Sequence, residues 1–491
     1  MIKQCPGNRA LNTDMTHSVE KIGGTSMSRF EEVLNNIWMR PQDGSIYNRI
    51  FVVSAYGGIT DLLLEHKKTG EAGVYSCFAE AEQEDAWKQR LQEVEQKLLA
   101  INAEMFSGPV LQQANRFIRQ RISGAEACMN SLHNLCSYGH FQMQQHLATV
   151  REMLASIGEA HSAFNSVLLL QQHGVKARFV DLTGWKMEQP LPLDEMINEA
   201  FDGLDPAAEM LIVTGYTQCE EQLMRTFDRG YSEMTFSKIA SITQAEEAVI
   251  HKEFHLSSAD PRIVGEEQVV PIGMTNFDVA DQLSNLGMEA IHPKAAQGIR
   301  NAGIRIRVKN TFEPEHIGTI IDADYCNPRP CVEIIAGRRD LFAIEVFDQE
   351  MLGSPEYDIN ISRLIKELKL PLVNKESDAN SITFYLAGNR KKVNRLVRLI
   401  ETQYPSAAVE LHKVAMVSAV GSDLKVQGIL ARAVSALSDA GINVLALHQT
   451  IRQVEMQCIV AETDYEAAIR AWHKALVEDE NHGAVIRRCA A

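Results

Sequence analysis

Short apolar runs that stop at a glycine turn constrain this chain more than any other feature. "RIFVVSAYGG" (49–58) and "AEMLIVTGY" (208–216) are the plainest, and "HSVEKIGGTS" (17–26) is a variant with a lysine just ahead of its glycines. An alternating strand has one wet face; a continuous apolar run has none, so these segments predict strands covered on both sides. Helical stretches separate them, as in "GEAHSAFNSVLLLQQHG" (158–174), with Gly174 placed to cap, and "TFSKIASITQAEEAVIHKEF" (235–254). The alternation implies an α/β fold, a mostly parallel sheet sandwiched by helices. Ligands of such sheets gather at the carboxyl ends of the strands. The turns Gly23–Ser26, Ser54–Thr60 and Gly215–Tyr216 all follow strands and can meet at one edge.

With 491 residues the chain exceeds a single core. Residues 1–16 read as a flexible tail. Residues 17–320 read as one α/β domain interrupted at about 66–155 by a helical insert, in which Trp87, Leu91, Val94 and Leu98 share a face. "IDADYCNPRPCVE" (321–333), with two prolines, marks a boundary. Beyond it, residues 331–491 read as two small α+β units in tandem; Ile429, Leu430, Ala433, Val434 and Leu437 form a helical stripe that exits at Gly441.

The formal net charge of −16 argues against nonspecific nucleic-acid binding, which needs a basic surface. No apolar run reaches the roughly 18 residues of a membrane span, and the first residues lack the apolar stretch of a signal peptide. Nine scattered cysteines without a CxxC pair fit a reducing cytoplasm better than a disulfide framework.

Four stretches could carry chemistry. In the first, Lys21 with Gly23, Gly24, Thr25 and Ser26 offers backbone N–H groups and a cation to an anion, or a plain turn with a hydroxyl cap. In the second, Arg229, Gly230 and Ser232 offer a cation at a helix start, or an ordinary N-cap. Glu159, after Gly158, reads as lying in the first turn of a helix, where it complements the macrodipole or serves a site. Asp260-Pro261-Arg262 is a stiff turn whose arginine could face a phosphate.

In order along the chain, these stretches resemble the aspartate kinases of the amino-acid kinase family. Lys21–Ser26 match the family's Lys-Phe-Gly-Gly-Thr-Ser opening, "VVSAYGGITDLL" (52–63) its second turn, and Gly158-Glu159 its Gly-Glu. "RGYSE" (229–233) stands where Arg-Gly-Gly-Ser-Asp is usual, and "DPRIV" (260–264) and "GMEAIHP" (287–293) follow. The last 160 residues resemble paired ACT domains. The resemblance implies the amino-acid kinase fold and ATP-dependent phosphorylation of the aspartate side-chain carboxylate to 4-phospho-L-aspartate, with Mg²⁺ carried by ATP and none assigned to protein side chains. It implies that Lys21 neutralises the transferring phosphoryl group, and that Gly23, Gly24, Thr25, Ser26, Gly230, Asp260 and Arg262 lie by the nucleotide. Ser54, Thr60, Glu159, Arg229 and Ser232 would hold L-aspartate.

Several positions depart from the pattern. Tyr231 replaces a glycine, Glu233 an aspartate, Ala160 an arginine and Glu289 a lysine; the usual Thr-Asp is not recognisable in "IHKEFHLSS" (250–258). Lys252 and Lys294 are candidates to replace the lost lysine. The set is similar to the branch associated with ectoine biosynthesis. Alternatives are another amino-acid kinase acting on a similar acidic substrate, or a catalytically weak ACT-containing regulatory binder. ACT units imply a homodimer or higher homo-oligomer and an amino-acid effector. Because "HQTIRQVEMQ" (448–457) lacks the family's usual effector pattern, inhibition by lysine or threonine is expected to be weak or altered.

Overall fold

The computed structural model describes residues 16–479 apart from 43, 68, 81–85, 188, 228–229, 289 and 353. It divides into two compact units. The first runs to His255 and takes in Ile291–Ala323; the second joins Leu256–Ala290 to the chain from Asp324 onward.

The sheet of the first unit holds β1 (Ser18–Ile22), β2 (Arg49–Val53), β3 (Ala177–Val180), β4 (Met210–Thr214), β5 (Glu247–Lys252), β6 (Arg305–Asn310) and β7 (Thr319–Ile321). Their order is β3-β4-β2-β1-β5-β6-β7. All neighbours are parallel except β6 and β7. Every residue of β2 and β4 is buried, as unbroken apolar runs require. The insert supplies α1 (Ala86–Met105) and α2 (Gly108–Ser137). The former buries Trp87, Leu91, Val94 and Leu98, and the latter opens on a proline that needs no hydrogen-bond acceptor there.

The next helix, α3 (Leu147–Gln172), differs from expectation. Gly158 and Glu159 sit in its middle rather than in a first turn. Glycine does not break it because its lack of a Cβ lets α3 press onto the turn after β2. A Cβ at 158 would lie 2.8 Å from Ala55 Cβ and 3.1 Å from Ile59 Cγ2. The far end does stop as expected: Gly174 follows with φ +78°. Two further helices complete the frame, α4 (Tyr231–Thr243) and α5 (Pro293–Asn301), which pack on each other.

One face of β1 carries a buried polar cluster. Arg49 Nε donates to Glu20 Oε1 at 2.5 Å and its Nη2 to Oε2 at 2.8 Å. His251 Nε2 lies 2.7 Å from Glu20 Oε2, and the Ile37 and Arg40 carbonyls accept from Arg49 Nη1. Burial pushes the Glu20 carboxyl up, but Arg49 and His251 outweigh it and hold the group far below the usual carboxylate range.

The second unit is built on β8 (Ile334–Phe347), β9 (Leu372–Ser377), β10 (Ser381–Ala387), β11 (Ala408–Val420), β12 (Val444–Gln449) and β13 (Glu455–Ala461). The order is β9-β10-β8-β11-β13-β12, antiparallel throughout. Its helices are α6 (Glu356–Glu367), α7 (Arg390–Gln403), α8 (Ile429–Asp439) and α9 (Tyr465–His473). One βαββαβ repeat is nested in the other. The inner runs from the second half of β8 to the first half of β11. The outer begins in the second half of β11 and draws its fourth strand from the start of β8, where Ile334–Arg338 pair with Met416–Val420. Each repeat has its own core: Phe384, Ile361 and Leu396 in the inner, Trp472, Ala433 and Met456 in the outer. Residues 256–290 join the outer repeat. Ile335 N–H donates to the Ser258 carbonyl at 2.7 Å, and Ser258 Oγ lies 2.9 Å from the buried His473 Nε2.

Candidate active site

The site follows from where the parallel strands of the first unit end. Lys21 is the penultimate residue of β1 and is buried. The chain then turns at Gly23 into a four-residue helix, Gly24–Met27, whose N-cap is Gly23 rather than a hydroxyl residue. The first amides of a helix have no acceptor within it, so the N–H groups of Gly24, Thr25 and Ser26 are available to a ligand. The turn is held tightly: a Cβ on Gly24 would fall 2.6 Å from the Ala55 carbonyl oxygen. Ser26 Oγ is fully buried and lies 3.1 Å from Thr311 Oγ1, so its hydroxyl anchors the turn. Thr25 is exposed.

The β2 turn brings Ser54 and Thr60. Ser54 Oγ lies 3.5 Å from Ser232 Oγ, and the Ser54 carbonyl accepts from Ser162 Oγ at 2.8 Å. Thr60 is half-buried in the helix Ile59–Leu63. Gly215, at the end of β4, completes the meeting point. A Cβ there would lie 2.7 Å from Ser232 Cβ, 3.0 Å from Glu159 Oε2 and 3.0 Å from the Val53 carbonyl. Four elements, β2, β4, α3 and α4, thus converge on Glu159. Its carboxyl meets the Tyr231 side chain and the Tyr216 backbone, while Oε2 is buried without a hydrogen-bond partner among the described residues. Burial pushes its pKa up to about 8, with Lys21 and the two tyrosine contacts opposing.

Lys21 Nζ donates to Glu233 Oε1 at 3.1 Å, and Glu233 Oε2 accepts the His292 N–H at 2.5 Å. Burial raises the Glu233 carboxyl, but Lys21, then Lys252 and the His292 amide, hold it below the ordinary range. Gly230 caps α4, and a Cβ on it would meet the His292 ring at 2.9 Å. The structure therefore gathers Lys21, Gly23, Gly24, Ser54, Glu159, Gly230 and Ser232 at one sheet edge. Arg229 and Glu289 lie outside the described residues. Asp260 and Arg262 belong to the second unit. There Asp260 accepts the Arg262 backbone N–H at 2.9 Å and binds its guanidinium at 2.7 Å, which caps the turn Pro261–Val264.

Sequence reasoning passed over two participants, Glu233 and His292, and placed Gly215 at the edge without giving it a role. Glu233 was visible only as a departure from a pattern. Gly215 had a signal, a glycine directly after a buried run. His292 had none, since it contributes its backbone N–H.

The amino acid kinase family profile matches residues 18–310, and an ACT domain profile matches residues 417–476. The chain is 64% identical to "Aspartate kinase Ask_Ect" of Stutzerimonas stutzeri over 472 residues, 96% of this chain and 99% of that one. It is 24% identical to "Aspartokinase 1, chloroplastic" of Arabidopsis thaliana over 94% of its own length and 80% of the relative's. The fold is similar to that of E. coli aspartokinase III solved with aspartate and ADP, with TM-score 0.69, 18% identity, and coverage of 94% of this chain and 99% of that one. The lysine and aspartate complex of the same enzyme gives a TM-score of 0.72 at 17% identity, over 94% of this chain and 99% of that one. A lysine near the end of a parallel strand, a glycine turn and a buried glutamate, on a fold and sequence shared with these relatives, place the chain in the aspartate kinases of the amino acid kinase family, with a C-terminal ACT region.

Proposed function

We propose that the gathered residues transfer the γ-phosphoryl group of Mg-ATP to the side-chain carboxylate of L-aspartate. The observation that carries this reading is Glu159 Oε2, which has no hydrogen-bond partner among the described residues and is buried near Ser54 and Ser232, within electrostatic reach of Lys21. A buried acid with an empty acceptor suits an ammonium ligand, which restores its ionised form. The α-ammonium of aspartate binds there, and Ser54, Ser232 and Thr60 hydrogen-bond its carboxylates. Arg229 is assigned to pair with a substrate carboxylate. The other end of the amino acid then points toward Lys21 and the glycine turn.

A carboxylate is already ionised at neutral pH, so no general base is required. Its oxygen forms a bond to the γ-phosphorus as the bond to the β,γ-bridging oxygen breaks, and ADP leaves with the electron pair. Catalysis is then positioning and charge neutralisation. Lys21 neutralises the moving group, and the amides of Gly24, Thr25 and Ser26 hold phosphate oxygens. Gly23 and Gly230 keep the approach clear of side chains. Mg²⁺ enters with ATP. The 64% identical relative, named an aspartate kinase, supports this reaction, and the motif departures, similar to the ectoine-associated branch, support a role in ectoine synthesis. An amino-acid effector bound to the ACT region and a homodimer complete the proposal. Among the described residues no helix is long and apolar enough to cross a membrane, and we assign the protein to the cytoplasm.

The test is purified protein with Mg-ATP, L-aspartate and hydroxylamine, which traps the acyl phosphate as aspartyl hydroxamate. Absence of hydroxamate rejects the reading, and hydroxamate from glutamate but not from aspartate redirects it to another acidic substrate.

A further inference from the structure

Two lysines face the same edge of the first unit's sheet. Lys21 on β1 is in register with Ile250 on β5, and Lys252 follows Ile250 by two residues. Strand alternation therefore puts Lys21 and Lys252 on one face. With strands about 4.8 Å apart and a rise of about 3.3 Å per residue, their backbones lie on the order of 8 Å apart, within reach of one polyphosphate. The other face of β5 at this level belongs to His251 and the buried Glu20–Arg49 cluster. The helix α4 packs across the lysine face, and Glu233 in its first turn responds to both cations: it binds Lys21 directly, and Lys252 also favours its ionised form.

Lys252 is fixed to the glycine turn as well. Its carbonyl accepts the Thr311 N–H at 2.8 Å, and the Thr311 hydroxyl lies 3.1 Å from Ser26 Oγ. One residue thus ties the end of β5 to the loop assigned to the phosphates. Lys294, the other candidate to replace the missing lysine, has its ammonium 5.3 Å from the centre of the Phe227 ring. Lys21 is balanced by Glu233, so a polyanion at this edge calls for a second cation on the same face, and the strand register supplies it.

We infer that Lys252 is a second phosphate-binding cation of the site, holding the terminal phosphates of the nucleotide across from Lys21 during transfer. The inference rests on reading the Lys21 edge as the phosphate end.

The experiment uses the full chain with Mg-ATP and L-aspartate in the hydroxamate assay, together with calorimetric titration of Mg-ADP. Loss of a charged hydrogen bond predicts that Lys252→Ala weakens ADP binding and raises the KM for ATP by about tenfold to a hundredfold, with the KM for aspartate nearly unchanged. Lys252→Arg restores most of the loss. Lys252→Met keeps the aliphatic stem, so it repeats the Ala result if charge matters, including where Ala disturbs folding. ADP affinity and ATP KM unchanged in both neutral variants overturn the inference, as does a loss in Lys252→Arg equal to that in Lys252→Met. Lys21→Ala separates the two levels. Full turnover in that variant rejects the phosphate-end reading itself, whereas a dead Lys21→Ala beside a silent Lys252→Ala rejects only the role of Lys252.

Discussion

At the scale of single residues, Glu159 is the group whose environment departs furthest from what its neighbours in sequence suggest. With its pKa pushed up to about 8 by burial, it is largely protonated at neutral pH in the free protein, and an incoming ammonium must expel that proton. The KM for aspartate is therefore expected to fall as pH rises toward 8, and Glu159→Gln should flatten that dependence while raising the KM roughly tenfold to a hundredfold. A pH series of initial rates checks both. The sign for stability is opposite. A carboxyl whose folded pKa lies above its unfolded value favours folding below the unfolded pKa, and the benefit is lost as pH rises through 8. Glu159→Gln should accordingly melt higher than the parent above pH 8. Glu20 behaves the other way: held low by Arg49 and His251, it stabilises above its unfolded pKa, and that contribution is lost as acid protonates it. Arg49→Ala strips the buried Glu20 carboxylate of its guanidinium and leaves His251 to hold it, and should cost about 3–5 kcal/mol in a denaturant titration. Lys21→Ala should lower kcat by roughly 10²–10³-fold. The lysine and glycines were legible because local chemistry marks them. The burial of Glu159 was not, because a glutamate after a glycine looks the same in sequence whether α3 is a surface helix or a buried one.

At the scale of elements, glycines decide how closely the turns approach. Gly215 has no alternative, since a methyl there would sit 2.7 Å from Ser232 Cβ and 3.0 Å from Glu159 Oε2. Gly215→Ala should raise the KM for aspartate more than it lowers the melting temperature, because the nearest atoms are the ligand-facing ones. Gly158→Ala pushes α3 off Ala55 and Ile59 and should weaken aspartate binding together with stability; parallel kinetics and thermal melts distinguish the two patterns. The strands were readable from their unbroken apolar runs. The start of α3 was not, because glycine is a weak helix former locally and only its packing partner shows why it is tolerated.

At the scale of the whole molecule, the two α+β repeats share β8 and β11 instead of following one another. Sharing fuses their sheets into one six-stranded surface, so a change in one repeat is transmitted through strands that belong to both. The segment 448–457 closes the outer edge, with Ile451 fully exposed and Arg452 paired to Asp278. It lacks the pattern that suggests an effector, and a titration of lysine and of threonine against the hydroxamate assay should show weak or altered inhibition. Strong inhibition by lysine alone would contradict this.

The sequence by itself determined the α/β class, the helical insert, the α+β character of the last 160 residues and the approximate edge at which the site forms. These depend on periodicity, on glycine turns and on an ordered set of motifs, all local properties of the chain. Tertiary structure decided the rest: that Glu159 lies buried with one oxygen unpartnered among the described residues, that Glu233 bridges Lys21 to the His292 backbone, and that β8 begins one repeat and finishes another. Each is a meeting of segments far apart in the chain, and strand pairing and burial, not composition, bring such segments together. The turn "KIGGTS" was a possible phosphate cradle from its residues alone; β5, α3 and α4 set the charges around it.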